Sequence, residues 1–259
     1  MNRDTALVTG ASSGIGRELA RQFARHGHDL VLVARREAEL AAVADDLESR
    51  HGIAATTIPM DLDDEAAPQE LYDAVHDHDL DVGILVNNVG IGTYGPFAES
   101  DLDEEQTQLR LNVTTLVTLT RLFLDDFTER GTGKVLNVGS VAGFQPGPFM
   151  AGYYASKAYV NSFTEAIAEE LRGTGVSATV LCPGPVDTEF QDRAGMGNSA
   201  VGSTYMQPVE DVAQAGYRGL MSGETVVVPG LPMKLLTTLA RITPRPILRR
   251  VARRVNSDR

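Results

Sequence analysis

The feature that most narrows what this chain can fold into is a glycine-spaced turn between an apolar run and an amphipathic one. Thr5-Ala6-Leu7-Val8-Thr9 reads as a buried strand and leads directly into Gly10-Ala11-Ser12-Ser13-Gly14-Ile15-Gly16. Residues 15–26 then follow helical periodicity, with Leu19, Ala20, Phe23 and Ala24 on one face and Gly27 as the stop. Gly10 permits the tight reversal, Gly14 lets backbone approach a phosphate, and Gly16 lets the helix pack closely on the strand. The helix start offers free N–H groups and the positive end of its dipole. The turn, with Ser12, Ser13 and Ile15 in it, therefore predicts a pyrophosphate site.

The same rhythm continues along the chain. Apolar strand-like runs fall at residues 30–33, 54–58, 84–86, 134–138, 177–181 and 225–228, with helical patterns at 37–50, 65–78, 104–127, 151–171 and 208–221. Alternation of this kind predicts an α/β fold, a Rossmann-type doubly wound parallel sheet, as one domain over residues 1–230. Residues 184–207 form a glycine-rich polar stretch of the length that usually serves function, so they are expected to cover a site. No apolar run approaches the roughly 18 residues of a membrane span. The first residues run straight into a strand, so no signal peptide is expected. Cys182 is the sole cysteine, and no His pair has metal-ligand spacing, so neither a disulfide nor a bound metal is expected. A reducing, cytoplasmic setting follows.

Charge is unevenly spread. The chain carries −12 overall, but residues 231–259 hold eight basic residues against one acid, leaving −19 on the remainder. So acidic a body does not seek nucleic acid. Only Lys134, Lys157 and Lys234 are lysines, which fits a high-salt cytoplasm as well as an ordinary acidic protein. The tail reads as a basic amphipathic helix after Pro244 and Pro246. It has Ile247, Leu248, Val251, Ala252 and Val255 on one face and Arg249, Arg250, Arg253 and Arg254 on the other. Such a helix suits a homo-oligomer interface in a dimer or tetramer, the reading preferred here. It also suits an anionic membrane surface, the chain's own acidic body, or the mouth of a pocket.

The end of the second strand bears on the cofactor. An acid there would accept a ribose 2′-hydroxyl, but this chain has Ala34-Arg35-Arg36. Two guanidinium groups suit a 2′-phosphate, so NADP(H) is expected over NAD(H). Further on, Tyr153 and Lys157 are four residues apart in a helical pattern, one turn along the same face. A cation beside a phenol favours the phenolate and is expected to lower its pKa. Ser140 ends the fifth strand, where a hydroxyl can meet a substrate carbonyl, and Asn112 sits as a polar residue inside a long helix.

Together these motifs, with Asp61-Leu62, Asn87-Asn88-Val89-Gly90 and Pro183-Gly184-Pro185-Val186-Asp187-Thr188, resemble the short-chain dehydrogenase/reductase family over about residues 5–230. Val89 and Gly139 depart from its usual alanine and serine. The resemblance implies that Tyr153 is the general acid, and that Lys157 tunes it and holds the nicotinamide ribose. Ser140 would polarise the carbonyl, and Asn112 would hold a relay water. Asp61 and Leu62 would face adenine, Asn88 and Gly90 the adenosine ribose, and Pro183, Gly184, Val186 and Thr188 the nicotinamide and phosphate. The expected substrate is an apolar or lipid-like ketone or secondary alcohol, held between residues 184–207 and Phe144, Pro146, Pro148, Phe149 and Met150. The competing reading is a non-catalytic, cofactor-binding interaction protein that docks through its basic tail.

Overall fold

Runs such as Leu30-Val31-Leu32-Val33 have no polar alternation, so both faces of the strand must be covered. The computed structural model describes residues 4–194 and 206–257, apart from the side chains of 192 and 193, and it covers both faces. Its first half runs β1 (Thr5–Thr9), α1 (Gly14–Arg25), β2 (Leu30–Ala34), α2 (Glu37–His51), β3 (Ala55–Pro59), α3 (Ala67–Asp77) and β4 (Val82–Asn87). Then come α4 (Leu102–Leu109), α5 (Thr115–Arg130), β5 (Gly133–Val138), α6 (Ala151–Glu170), β6 (Val176–Leu181), α7 (Phe190–Arg193), α8 (Val209–Ser222) and β7 (Val226–Val227). The tail adds α9 (Leu231–Ile242) and α10 (Arg245–Asn256). All seven strands pair in parallel in the order β3-β2-β1-β4-β5-β6-β7.

Alternate strand residues feed two cores. Ala6, Val8, Leu30, Leu32 and Ile84 meet Leu19 and Phe23 of α1, Leu40 and Leu47 of α2, and Val212 and Leu220 of α8. Leu7, Val31, Leu85 and Val135 meet Leu71 of α3, Phe123 and Phe127 of α5, and Ile167 of α6. Each such buried side chain contributes about 1.5–3 kcal/mol, and this burial holds the sheet rigid beneath its loops. Gly27 and Gly52 end their helices at φ 78 and 65, as the sequence predicts.

The helix expected over residues 104–127 is not continuous. Residues Arg110–Thr114 form a π-helical segment between α4 and α5, and Asn112 lies within it. Side-chain bonds hold the wide turn: Arg110 Nε donates to the Asp63 carboxylate (2.9 Å), Thr115 Oγ1 to the Leu62 carbonyl (3.0 Å). Periodicity alone does not reveal it, because the partners that hold it open, Asp63 and Leu62, lie far back in the chain. Short π segments of this kind recur at functional sites.

Candidate active site

Strand order reverses between β1 and β4, and the carboxyl ends on either side of such a point frame a crevice. A cavity of about 340 Å³ lies there. Of the residues singled out from sequence it is lined by Gly10, Ser12, Ser13, Gly14, Ile15, Arg35, Arg36, Asp61, Leu62, Asn88, Gly90, Ser140, Tyr153, Lys157, Pro183, Gly184, Val186 and Thr188. Gly16 and Asn112 do not reach it and act from behind.

The glycine turn divides its labour as local sterics require. Gly10 (φ 67) and Gly14 (φ 55) take conformations that side chains resist. A Cβ on Gly16 would sit 2.3 Å from the Gly10 carbonyl oxygen and 2.4 Å from Asn88 Nδ2, so Gly16 makes room for the turn itself. Ser13 caps α1 in an extended conformation with no side-chain bond to the helix amides, and no acid occupies the first turn. The N–H groups there stay free for an anion. Asn88, expected at a ribose, spends its amide on the turn, donating to the carbonyls of Thr9 (2.9 Å) and Gly10 (3.4 Å).

Arg35 and Arg36 stand at the rim. Arg36 donates to Ser12 Oγ (3.2 Å) and lies 3.7 Å from both Glu39 and Glu189, while Arg35 lies 3.6 Å from Asp61. Glu37 and Glu39 in the first turn of α2 offset the cost of a cation at a helix start, so that cost is a weaker argument for ligand binding than the sequence suggests. The stronger argument is chemical: two guanidiniums and the Ser12 hydroxyl converge where no β2 acid exists. Their pairs with carboxylates are exposed and easily exchanged for a phosphate.

At the opposite end Tyr153 and Lys157 leave the first turns of α6 side by side, with Lys157 Nζ 5.9 Å from the centre of the Tyr153 ring. Lys157 is buried and donates to the Val138 carbonyl (2.8 Å). Burial pulls its pKa down to about 8. Burial pushes the Tyr153 phenol up to about 12, with the Ser140 hydroxyl pulling in the other direction through a hydrogen bond. This runs against the expectation of a lowered phenol pKa: desolvation of the phenolate is the largest influence, and the Ser140 hydrogen bond only partly offsets it. A phenol held this way is protonated at neutral pH, the state that can donate a proton.

Asn112 is fixed through its side-chain amide. Its amide nitrogen donates to the Ile91 carbonyl (2.9 Å) and Ser156 Oγ (3.0 Å), and its oxygen accepts from the Ile91 amide (2.9 Å). The side chain thus ties the π segment to the β4 loop and to α6. A Cβ on Gly90 would lie 2.8 Å from that oxygen, which explains the glycine there.

The substrate wall needs the largest correction. Of Phe144, Pro146, Pro148, Phe149 and Met150, Met150 alone lines the cavity. Phe144 instead lies under the Arg241 guanidinium, 5.1 Å away, and Pro148 and Phe149 face a separate groove. Sequence reading missed Phe190, whose ring tilts against Tyr153 with centres 5.2 Å apart, leaving no room for a Cβ on Gly92 (2.8 Å). It also missed Asn256 at the end of α10. Asn256 donates to the Pro148 carbonyl (3.0 Å), its backbone oxygen accepts from Tyr94 Oη (2.6 Å), and its amide meets Tyr154 Oη (3.4 Å). An asparagine closing an arginine-rich helix was the available signal. Of the loop at 184–207, residues 184–186 and 188–191 reach the cavity, Val186 bridges Gln207, and 195–205 lie outside the described residues.

A sheet, a crevice and a phenol–amine pair arranged in this way define a nicotinamide-dependent oxidoreductase site. The family model for short chain dehydrogenase matches residues 4–198. Sulfoacetaldehyde reductase 2 of Chromohalobacter salexigens is 38% identical over 218 residues, covering 82% of this chain and 86% of that protein. A short-chain dehydrogenase from Sphingobium yanoikuyae in complex with NADPH superposes with a TM-score of 0.82 at 35% identity, covering 88% of each chain. A short-chain dehydrogenase/reductase from Burkholderia phymatum in complex with NAD also scores 0.82, at 26% identity and 92% of each chain. The chain belongs to the short-chain dehydrogenase/reductase family and is an NAD(P)-dependent oxidoreductase. The reading as a non-catalytic interaction protein draws no support from relatives named as reductases and dehydrogenases.

Proposed function

We propose that this enzyme is an NADPH-dependent carbonyl reductase of an apolar ketone, with Tyr153 as its proton donor. The observation that carries the reading is the meeting, in one crevice, of a protonated phenol–serine–lysine group with an arginine-rimmed phosphate turn. The residues suit the dinucleotide. The glycine turn and free α1 amides fit a pyrophosphate, Ser12, Arg35 and Arg36 a 2′-phosphate, and Lys157 a ribose hydroxyl. When bound, the cofactor supplies hydride to the carbonyl carbon.

Ser140 holds the carbonyl oxygen beside Tyr153 Oη and polarises it. As negative charge grows on that oxygen, the phenol transfers its proton; an alkoxide is far more basic than a phenol of pKa about 12, so transfer runs downhill. The Lys157 ammonium stabilises the phenolate left behind. Val141, Met150, Tyr154 and Phe190 give the carbonyl its largely apolar surround and exclude water.

The test is a titration of NADPH against NADH on wild type, Arg35→Ala and Arg36→Ala, read by nicotinamide fluorescence. Loss of a charge-assisted pair costs about 1.5–3 kcal/mol, so NADPH should weaken roughly ten- to a hundredfold while NADH stays unchanged. Equal binding of the two by the wild type overturns the NADP assignment.

We also place the enzyme in the cytoplasm, its lone thiol Cys182 being buried, and infer that it works as a homo-oligomer. The support is α9. It turns the small residues Thr237 and Ala240 inward and exposes Leu231 (82%), Leu235 (61%), Leu239 (50%) and Ile242 (75%) along one outward stripe. A second copy would bury that stripe, and light scattering on Leu235→Glu/Leu239→Glu checks it.

A further inference from the structure

Beside the active-site crevice, and separated from it by residues 148–150, lies a second groove of about 490 Å³. Pro96 and Phe97 form one wall, Pro148 and Phe149 another, and Pro246 of α10 the third. Arg249, Arg250 and Arg253 all line it. In a chain with 35 acids, one expects such a cluster to be neutralised from within. It is not: none of the three enters an ion pair among the described residues, and residues 231–257 contain no acid. Like charges held together without a counterion repel one another, and an anion in the groove relieves that repulsion.

The groove is built rather than incidental. The Gly95 amide donates to the Phe149 carbonyl (2.8 Å), fastening two walls together. Asn256, 1% exposed, fastens α10 to the Pro148 carbonyl. Phe149 is held at φ 67, a left-handed conformation costly for an aromatic residue and one that persists only where its surroundings enforce it. One short segment thus presents Pro148 and Phe149 to the groove and Met150 to the catalytic cavity.

We propose that this groove binds the anionic end of an amphiphilic ligand, a carboxylate or phosphate group on an apolar chain, whose body runs along residues 148–150 to the reacting carbonyl. The proposal rests on the carbonyl-reductase reading and narrows its substrate to an apolar carbonyl compound with a remote negative charge. Arginine suits the task, since its planar fork engages carboxylate or phosphate through paired hydrogen bonds. A concave groove flanked by a body of net charge −19 favours a single soluble anion over a bilayer of anionic lipid, which that body would repel.

Two arms test it on the full chain, wild type against Arg249→Ala/Arg250→Ala/Arg253→Ala. In the first, decanoate, which cannot be reduced, is titrated while thermal unfolding is followed. It should raise the melting temperature of the wild type and leave that of the triple variant unmoved, the two binding NADPH alike. In the second, kcat/KM is compared for 9-oxodecanoate and its methyl ester, and the acid should be favoured at least tenfold by the wild type alone. No decanoate stabilisation, or stabilisation that survives in the triple variant, overturns the proposal. So does arginine-dependent sedimentation with phosphatidylglycerol vesicles in place of decanoate binding, because the cations then serve a membrane. Reduction of neither ketone, with arginine-dependent decanoate binding intact, sinks the substrate reading and leaves the groove standing.

Discussion

Between Gly10 and Arg36 the crevice is made by neighbours in the chain, and each residue's part follows from backbone geometry: a positive φ at Gly10 and Gly14, a forbidden Cβ at Gly16. The other end is assembled from distant pieces. Tyr154 meets Asn256 across 102 positions, and Tyr94 reaches the same residue across 162. The contrast teaches that a phosphate site can be specified by a dozen consecutive residues, because it binds through main-chain groups. A substrate wall is instead specified by side chains that only folding brings together. Changes at the first end should harm every dinucleotide-dependent property alike, and changes at the second should alter selectivity while cofactor binding persists.

The largest expected effect lies where the two ends meet. Tyr153→Phe keeps the ring against Phe190 and removes the proton donor, so kcat should fall by about 10²–10⁴-fold with NADPH affinity unchanged. Retained turnover would remove the phenol from the chemistry.

Next is the cost of the buried Lys157. A lysine whose folded pKa is held near 8, against an ordinary value near 10.4, destabilises the fold while it is charged. That penalty, roughly 3 kcal/mol, is fully present below pH 8 and fades as pH rises toward the unfolded value. Lys157→Met should therefore be the more stable protein at pH 7, with its lead in urea midpoint shrinking by pH 10. A constant gap across that range would mean that the amine is not desolvated.

Gly16→Ala sharpens the contrast from the phosphate end. The added Cβ meets a backbone carbonyl that cannot swing aside, so about 1–3 kcal/mol of stability should be lost, and NADPH and NADH should weaken together.

Asn256→Ala probes the distant end and should be mildest. Water can replace part of its hydrogen bonding to Tyr154, so about 1 kcal/mol, or roughly 2–4 °C in melting temperature, is expected. KM for the ketone should change with NADPH affinity constant; a change in NADPH affinity instead would erase the distinction between the two ends.

Much of this was readable in advance. The strand positions, the phosphate turn and the Tyr153–Lys157 pair were legible because apolar runs, glycines needing positive φ and a four-residue helical spacing are local signals. The π segment at Arg110–Thr114 was not, because Asp63 and Leu62, far back in the chain, hold it open. Nor were the placements of Phe144 and Phe149. Their apolar character does not say what they face, and only the fold does: the first packs under Arg241, and the second lines the arginine groove.

The tail shows the same division. Its amphipathic pattern was plain, yet the structure buries only part of the expected face. Ala252 turns inward, while Ile247 and Val251 stay about half exposed. Sequence by itself determined which segments form helices and strands and where the glycine turn falls, since both depend on interactions within a few residues. Tertiary structure alone decided the desolvation of Tyr153, the neighbours of Asn112 and the anchoring of α10 by Asn256. Desolvation and long-range hydrogen bonding depend on what is packed beside a group, and that is settled only when distant segments meet.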